Sequence, residues 1–342
     1  MTLAEDLLAE DLAAIDRQLA PYWAGLKGAR IFMTGGTGFI GRWMLEALAV
    51  SDCDAEVVIL SRDPAAFVAK APHLGERFQF VAGDVCDFVA PSGRFTHVIH
   101  AATDASAYLN ANDPRRMFDT IVTGTRKVLD LAVERGAGRM LVLSSGAVYG
   151  AQPWDVSHVA EEWPGGPDPR DPKSAYGEGK RAAELLCAIY GQQFGLDVVT
   201  SRIFALLGPL LSLDIHFAAG NFIRDAMAGR AIRIESAGTA VRSYLYAADL
   251  AAWLWMMLLR APRGATWNMG SEEAVSIADL ARRTAAVLGG PGVEVLGRED
   301  AGWNPGRYVP STARVRDQLG VAPTISLDAA IRRTAIFNGW KR

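Results

Sequence analysis

Thr34-Gly35-Gly36-Thr37-Gly38-Phe39-Ile40-Gly41 follows the apolar run Ile31 to Met33 and leads into a helical pattern carried by Trp43, Leu45 and Leu48. Its place between a buried strand and a helix is what gives these glycines meaning. They let the backbone turn tightly and approach a pyrophosphate, whose charge then faces the free N–H groups and the positive end of the helix dipole. The segment reads as GxxGxxG on Gly35, Gly38 and Gly41, or as GxGxxG from Gly36. Gly35, Gly38, Phe39, Ile40 and Gly41 are therefore cofactor-binding candidates.

Outward from this turn, short apolar runs alternate with longer helical patterns: Val57 to Leu60, Phe78 to Val81, His97 to His100, Met140 to Leu143 and Val198 to Ile203. Runs without polar alternation predict strands buried on both faces, and their alternation with helices predicts a parallel sheet. The expected fold class is α/β, a Rossmann-type doubly wound parallel sheet with a smaller C-terminal substrate-binding lobe. Leu3, Leu7, Leu8, Leu12, Ile15 and Leu19 fall at helical spacing and make residues 1–28 a helical appendage. The dinucleotide-binding domain is expected over 29–205, with 240–262 returning to it, and the lobe over 206–239 and 263–342.

Composition narrows the function. The 342 residues are 50% hydrophobic and 21% charged, with 35 Lys plus Arg against 38 Asp plus Glu, so no basic field is available for a nucleic acid. Cys53, Cys86 and Cys187 lack CxxC spacing and suit a reducing compartment. Glu5, Asp6, Glu10 and Asp11 stand where a secretory signal would carry positive charge, which predicts a cytoplasmic protein. The most apolar stretch, Leu250 to Leu259, is about half the roughly 20 residues that span a bilayer, so it reads as a core helix and no membrane partner is expected. The histidines show no ligand spacing, and no metal is expected.

The residue that reads the adenosine ribose lies about 20 positions past the glycine turn, at the end of the second strand. Here that place holds Ser61 and then Arg62. An arginine can pair with a 2′-phosphate where a carboxylate would accept from a 2′-hydroxyl, so NADP(H) is favoured over NAD. Asp63, one residue on, serves a ribose if the strand runs longer.

Tyr176 and Lys180 lie four apart at the head of a helical pattern that continues through Leu185, Leu186 and Ile189, on one helix face. A phenol titrating near about 10 is a poor base at neutral pH, but a neighbouring ammonium and a positive nicotinamide both favour phenolate. Ser145, in Leu143-Ser144-Ser145-Gly146-Ala147-Val148-Tyr149-Gly150, ends a strand on the side where open α/β sheets gather ligands, and its hydroxyl can bridge a substrate oxygen and the tyrosine.

Glycine turn, strand-end serine and YxxxK in this order resemble the extended short-chain dehydrogenase/reductase family, in its nucleotide-sugar epimerase/dehydratase branch, over nearly all of residues 29 to 340. Gly83-Asp84-Val85, His100-Ala101-Ala102, Gly238 to Arg242, Asp249-Leu250, Trp267 to Gly270 and Arg307 to Pro310 match further landmarks. The resemblance implies that Asp84 and Val85 meet the adenine and that Ala101 and Ala102 line the nicotinamide pocket. It also implies that Arg242, with Asn221 and Arg307, holds the diphosphate of a nucleotide-diphosphate sugar. Ser145, Tyr176 and Lys180 take the catalytic roles, and a homodimer through the YxxxK helix and the helix before it is the family's habit.

The departures are as informative. The family's 4,6-dehydratases follow the catalytic hydroxyl with Asp-Glu and its decarboxylases keep a glutamate, whereas this chain has Gly146 and Ala147. Dehydration and decarboxylation are disfavoured. An asparagine common after the sixth strand is absent from Arg202-Ile203-Phe204-Ala205. The expected activity is NAD(P)-dependent sugar 4-epimerisation through a keto-sugar. An NADPH-dependent 4-ketoreductase is the alternative, and a non-catalytic NADP(H)-sensing binding protein a more remote one.

Overall fold

Each apolar run becomes a strand of one sheet, but the run from Phe78 to Val81 gives the edge strand Gln79–Ala82, which is exposed or half-buried because a sheet edge is covered on fewer sides. The computed structural model describes residues 2–103, 107–214, 218–298 and 306–341. Helix α1 (Leu3–Leu19) precedes β1 (Arg30–Thr34), and α2 (Phe39–Val50) leads to β2 (Glu56–Ser61). Helices α3 (Pro64–Lys70) and α4 (Pro72–Arg77) connect to β3 (Gln79–Ala82), which is followed by β4 (His97–His100), α5 (Ala107–Asn112) and α6 (Pro114–Glu134). Strand β5 (Arg139–Ser145), α7 (Ala175–Phe194) and β6 (Asp197–Ile203) complete the regular alternation.

The remainder is built of shorter pieces: β7 (Leu206–Leu207), α8 (Ala218–Met227), β8 (Ile232–Ile234), β9 (Val241–Arg242), β10 (Leu245–Tyr246) and α9 (Ala247–Arg260). After these come β11 (Thr266–Met269), β12 (Val275–Ser276), α10 (Ile277–Leu288), β13 (Val293–Val295), β14 (Arg307–Tyr308), α11 (Ala313–Leu319) and α12 (Leu327–Phe337).

The large sheet has seven strands in the order β3-β2-β1-β4-β5-β6-β11, and every pairing is parallel. Strand order reverses between β1 and β4, which opens the crevice where doubly wound sheets bind ligands. Both faces are covered. Ile31, Met33, Ile59, Ile99, Leu141 and Val199 join the core with α2 and α9. Phe32, Val58, Val98, Met140 and Val142 pack on Val128 and Leu129 of α6 and Cys187 of α7. That two-sided burial is why the strands read as unbroken apolar runs.

Two segments fall differently from their sequence assignment. Strand β11 lies inside the stretch given to the lobe, yet it extends the large sheet by pairing with β6. Four residues with buried Trp267 and Met269 are too short to show a period of their own. Within 240–262, α9 packs on the large sheet, but β9 pairs with β12 and β14 in a separate three-stranded sheet.

Helix α1 starts in a capping box between Thr2 and Glu5 and buries Leu12, Ile15 and Leu19 against α9 and α12. Its Asp11 is 4% exposed and accepts from Arg333 Nη1 of α12 at 2.6 Å and from the Tyr246 hydroxyl. Burial pushes the Asp11 carboxyl up to about 6, with Tyr246 and Arg333 opposing. Arg333→Ala should cost about 2 to 3 kcal/mol in urea unfolding, the low end for a buried pair because Arg333 keeps a fifth of its side chain exposed. Glu10→Ala, at an exposed carboxylate on the same arginine, should cost less than about 1 kcal/mol. Among the described residues no helix is long and apolar enough to cross a membrane.

Candidate active site

The glycine turn is shaped by backbone contact. Gly35 has φ +71°, and a Cβ there would sit 2.5 Å from the Ala101 oxygen and the Ala102 nitrogen at the end of β4. A Cβ on Gly41 would come within 2.6 Å of the Gly36 Cα, whereas one on Gly36 would meet side chains: Ile59 Cγ2 at 2.9 Å, Leu45 Cδ1 at 3.2 Å and Met33 Sδ at 3.4 Å. The close backbone approaches therefore fall on Gly35 and Gly41, as in the GxxGxxG reading. Gly38 is the N-cap of α2, so Phe39 and Ile40 fill its first turn, whose N–H groups have no partner within the helix. This cradle fits the pyrophosphate of a nicotinamide dinucleotide.

Around it, His100 is wedged between Thr34 Oγ1 (2.8 Å) and Thr125 Oγ1 (3.1 Å). Burial, aided by Lys180, pushes the imidazole down to about 3, so it stays neutral and structural. Ala101 and Ala102 follow it, donating their N–H groups to Thr34 O (3.1 Å) and Thr34 Oγ1 (3.2 Å).

Strand β2 stops at Ser61, and Asp63 Oδ1 caps α3 by accepting from Ala66 N at 3.0 Å. A cavity of about 340 Å³ opens here, lined by Gly38, Phe39, Ser61 and Arg62 together with Arg42 and Lys70. Arg42 also pairs with Glu46 at 3.2 Å. Asp84 is exposed beyond β3, with Oδ1 accepting from Cys86 N at 2.9 Å, and Val85 is buried beside it.

Ser145, Tyr176 and Lys180 come together at the carboxyl ends of β4 and β5. Tyr176 N donates to Asn110 Oδ1 (3.0 Å), which ties the start of α7 to α5. Lys180 is 6% exposed, its Nζ donates to Leu143 O and Thr103 Oγ1, both at 2.7 Å, and it lies 6.0 Å from the Tyr176 ring centre. Ser145 Oγ accepts from Ala147 N (3.2 Å) and stands 3.3 Å from Tyr308 Oη. Burial pushes the Tyr176 phenol up, opposed by the Ser145 hydroxyl. Burial likewise pushes Lys180 down to about 8, with Glu184 opposing. A serine hydroxyl, a phenol and an ammonium beside a dinucleotide cradle suit proton transfer at a carbinol oxygen.

The diphosphate candidates separate. Arg242 in β9 is the register partner of Tyr308 in β14, whose phenol is pushed up by burial, with Ser145 and Arg242 opposing. Arg307 instead stacks its guanidinium 4.6 Å from the centre of the Trp154 ring. Asn221 is half-buried on α8.

A family model described as the NAD dependent epimerase/dehydratase family matches residues 31–270. The chain belongs to that family. UDP-glucuronic acid decarboxylase 6 of Arabidopsis thaliana is 31% identical over 305 residues, covering 87% of this chain and 85% of its own. The UDP-glucose 4-epimerase of Thermotoga maritima, solved with UDP-glucose, superposes with a TM-score of 0.77 at 20% identity over 90% of this chain and 98% of that one. The Thermus thermophilus UDP-glucose 4-epimerase solved with NAD gives 0.75 at 25% identity over 91% and 99%.

Packing fixes the loop after Ser145. A Cβ on Gly146 would lie 2.5 Å from Phe204 Cζ. The Phe204 ring is 4% exposed and is packed between Tyr149 (6.3 Å) and Tyr308 (4.5 Å), so it resists displacement. A carboxylate at 146 has no room, and Ala147 carries none. Sequence reading left Tyr308, Phe204, Thr103 and Glu184 without a role. Glu184 had a signal in its spacing, one helical step of four beyond Lys180. The two aromatic residues reach the centre from distant segments and gave none.

Proposed function

We propose that the chain is a nucleotide-diphosphate sugar 4-epimerase working through a keto-sugar. The observation that carries this reading is a Ser145, Tyr176 and Lys180 centre whose neighbouring loop position is filled by the Phe204 ring in place of an acid or base. In this proposal Tyr176 takes the proton from the sugar carbinol oxygen and returns it to the keto oxygen. Ser145 fixes that oxygen, and the Lys180 ammonium stabilises the phenolate. Arg242, with Asn221 and Arg307, holds the diphosphate. Gly35, Gly38, Phe39, Ile40, Gly41, Ser61, Arg62, Asp84, Val85, Ala101 and Ala102 hold a nicotinamide dinucleotide, which supplies a reversible hydride acceptor when bound. A homodimer through α6 and α7 belongs to the same proposal, and Phe118 and Leu185 stand exposed on those helices.

A second reading, an NADPH-dependent 4-ketoreductase, draws support from Arg42, Arg62 and Lys70 around the cavity at the end of β2. Their charge suits a 2′-phosphate. Arg62→Ala should weaken NADP(H) by about 1.5 to 3 kcal/mol, the worth of a charge-assisted contact, and leave NAD(H) nearly unchanged in calorimetric titration. Equal losses for both dinucleotides remove the preference for NADP(H). Mass spectrometry of dinucleotide released from the purified protein separates the two activities. A retained cofactor supports epimerisation, and an exchanging one supports reduction.

A further inference from the structure

Glu184 continues the line that carries the proposed reaction. Tyr176, Lys180 and Glu184 stand at successive steps of four on α7, so all three side chains share one helix face. The Glu184 side chain is 15% exposed and is held from two strands. Ser144 Oγ, adjacent to Ser145 on β5, donates to its Oε1 at 2.6 Å, and Arg202 of β6 reaches it with Nη2 at 2.7 Å and Nε at 3.1 Å. Arg202 is in turn fixed by the Tyr149 hydroxyl at 2.8 Å. A carboxylate anchored this firmly costs a good deal to bury, and tying α7 to β6 is one use for it.

Its position beside Lys180 gives it another. Lys180 is buried among groups that give little help to its charge: Tyr176 and Cys187 on α7, neutral His100 on β4, Thr103, and the Leu143 carbonyl. Glu184 is the acidic group that favours the ammonium against burial.

We propose that Glu184 is a positioning residue of the reaction, its anchored carboxylate keeping the buried Lys180 charged beneath Tyr176. This rests on the assignment of Tyr176 and Lys180 as the acid/base pair. The function follows from the chemistry of the phenol. A neutral lysine does nothing to favour phenolate, so losing Glu184 should narrow the pH range over which Tyr176 works.

The test needs no substrate. The chain has only six lysines, so carbon-13 at their ε positions gives a spectrum in which Lys180 can be assigned with a Lys180→Arg variant. In the wild-type protein the Lys180 resonance should titrate at about 8. In Glu184→Gln the midpoint should fall by about one pH unit or more. In Glu184→Asp, which keeps the charge one methylene further back, it should fall less. A glutamate that only ties α7 to β6 would lower the unfolding temperature of Glu184→Gln and leave the midpoint in place, and that result overturns the proposal. Should Glu184→Gln fail to fold, Glu184→Met, which also removes the carboxylate, takes its place, and an unshifted midpoint there overturns the proposal. Loss of turnover in Tyr176→Phe is a separate readout, so failure of the acid/base assignment stays distinguishable from failure of this one.

Discussion

Tyr176→Phe should lower turnover by about 100-fold to 10,000-fold while leaving dinucleotide affinity within about threefold of wild type. The Tyr176 phenol oxygen, beside Ser145 and Lys180, is placed to carry a proton to and from a carbinol, and the loop after Ser145 offers only Gly146 and Ala147. The ring itself stays: its backbone N–H remains on Asn110 and Lys180 keeps its bonds to Leu143 O and Thr103. Steady-state rates on an accepted sugar nucleotide, paired with fluorescence titration of the dinucleotide, check both halves. Turnover near wild type would remove Tyr176 from the chemistry. A large loss of dinucleotide affinity would make it a binding residue instead.

Gly35→Ala should abolish useful cofactor binding, with a fall in dinucleotide affinity of about 100-fold or more, equivalent to about 2.7 kcal/mol. Two costs combine. The left-handed φ of +71° disfavours an alanine by about 1 to 2 kcal/mol. The new methyl would also sit 2.5 Å from backbone atoms of Ala101 and Ala102, so the β1 and β4 ends must separate where the cofactor lies between them. Gly36→Ala is the internal comparison. Its methyl meets side-chain atoms of Ile59, Leu45 and Met33 and no backbone, so the β1 and β4 ends stay together and its effect on affinity should be at least tenfold smaller. Calorimetric titration of the two variants decides between the two ways of reading the glycine turn.

Much of this fold was legible because its central strands are covered on both sides: a strand such as Val57 to Leu60 has no polar face to interrupt the run. Strand β11 was not, being four residues long and recognisable only as a motif. The Tyr176 and Lys180 pair was legible because helical spacing alone brings the two together, and Ser145 because a strand end aims it at the same crevice. Tyr308 stands 163 positions from Ser145 in sequence, and no local pattern reports that the two hydroxyls meet. The direction of Arg307 depends on side-chain alternation in a strand of two residues, so a sequence match could place it near the diphosphate but could not show its stacking on Trp154. Phe204 explains Gly146 only after packing is known, because the pair is related by shape alone.

The decisive measurement is proton NMR of the enzyme in D₂O with UDP-glucose, UDP-N-acetylglucosamine, UDP-glucuronate, dTDP-glucose, CDP-glucose and GDP-mannose in turn. A 4-epimerase with this site converts at least one of them to its C4 epimer, with protium retained at C4 and no deuterium at C5, and Tyr176→Phe silences the conversion. A pentose product lacking the carboxyl group, or a 4-keto-6-deoxy sugar carrying deuterium from solvent, would contradict it, since both require a proton carrier that Gly146 and Ala147 cannot supply.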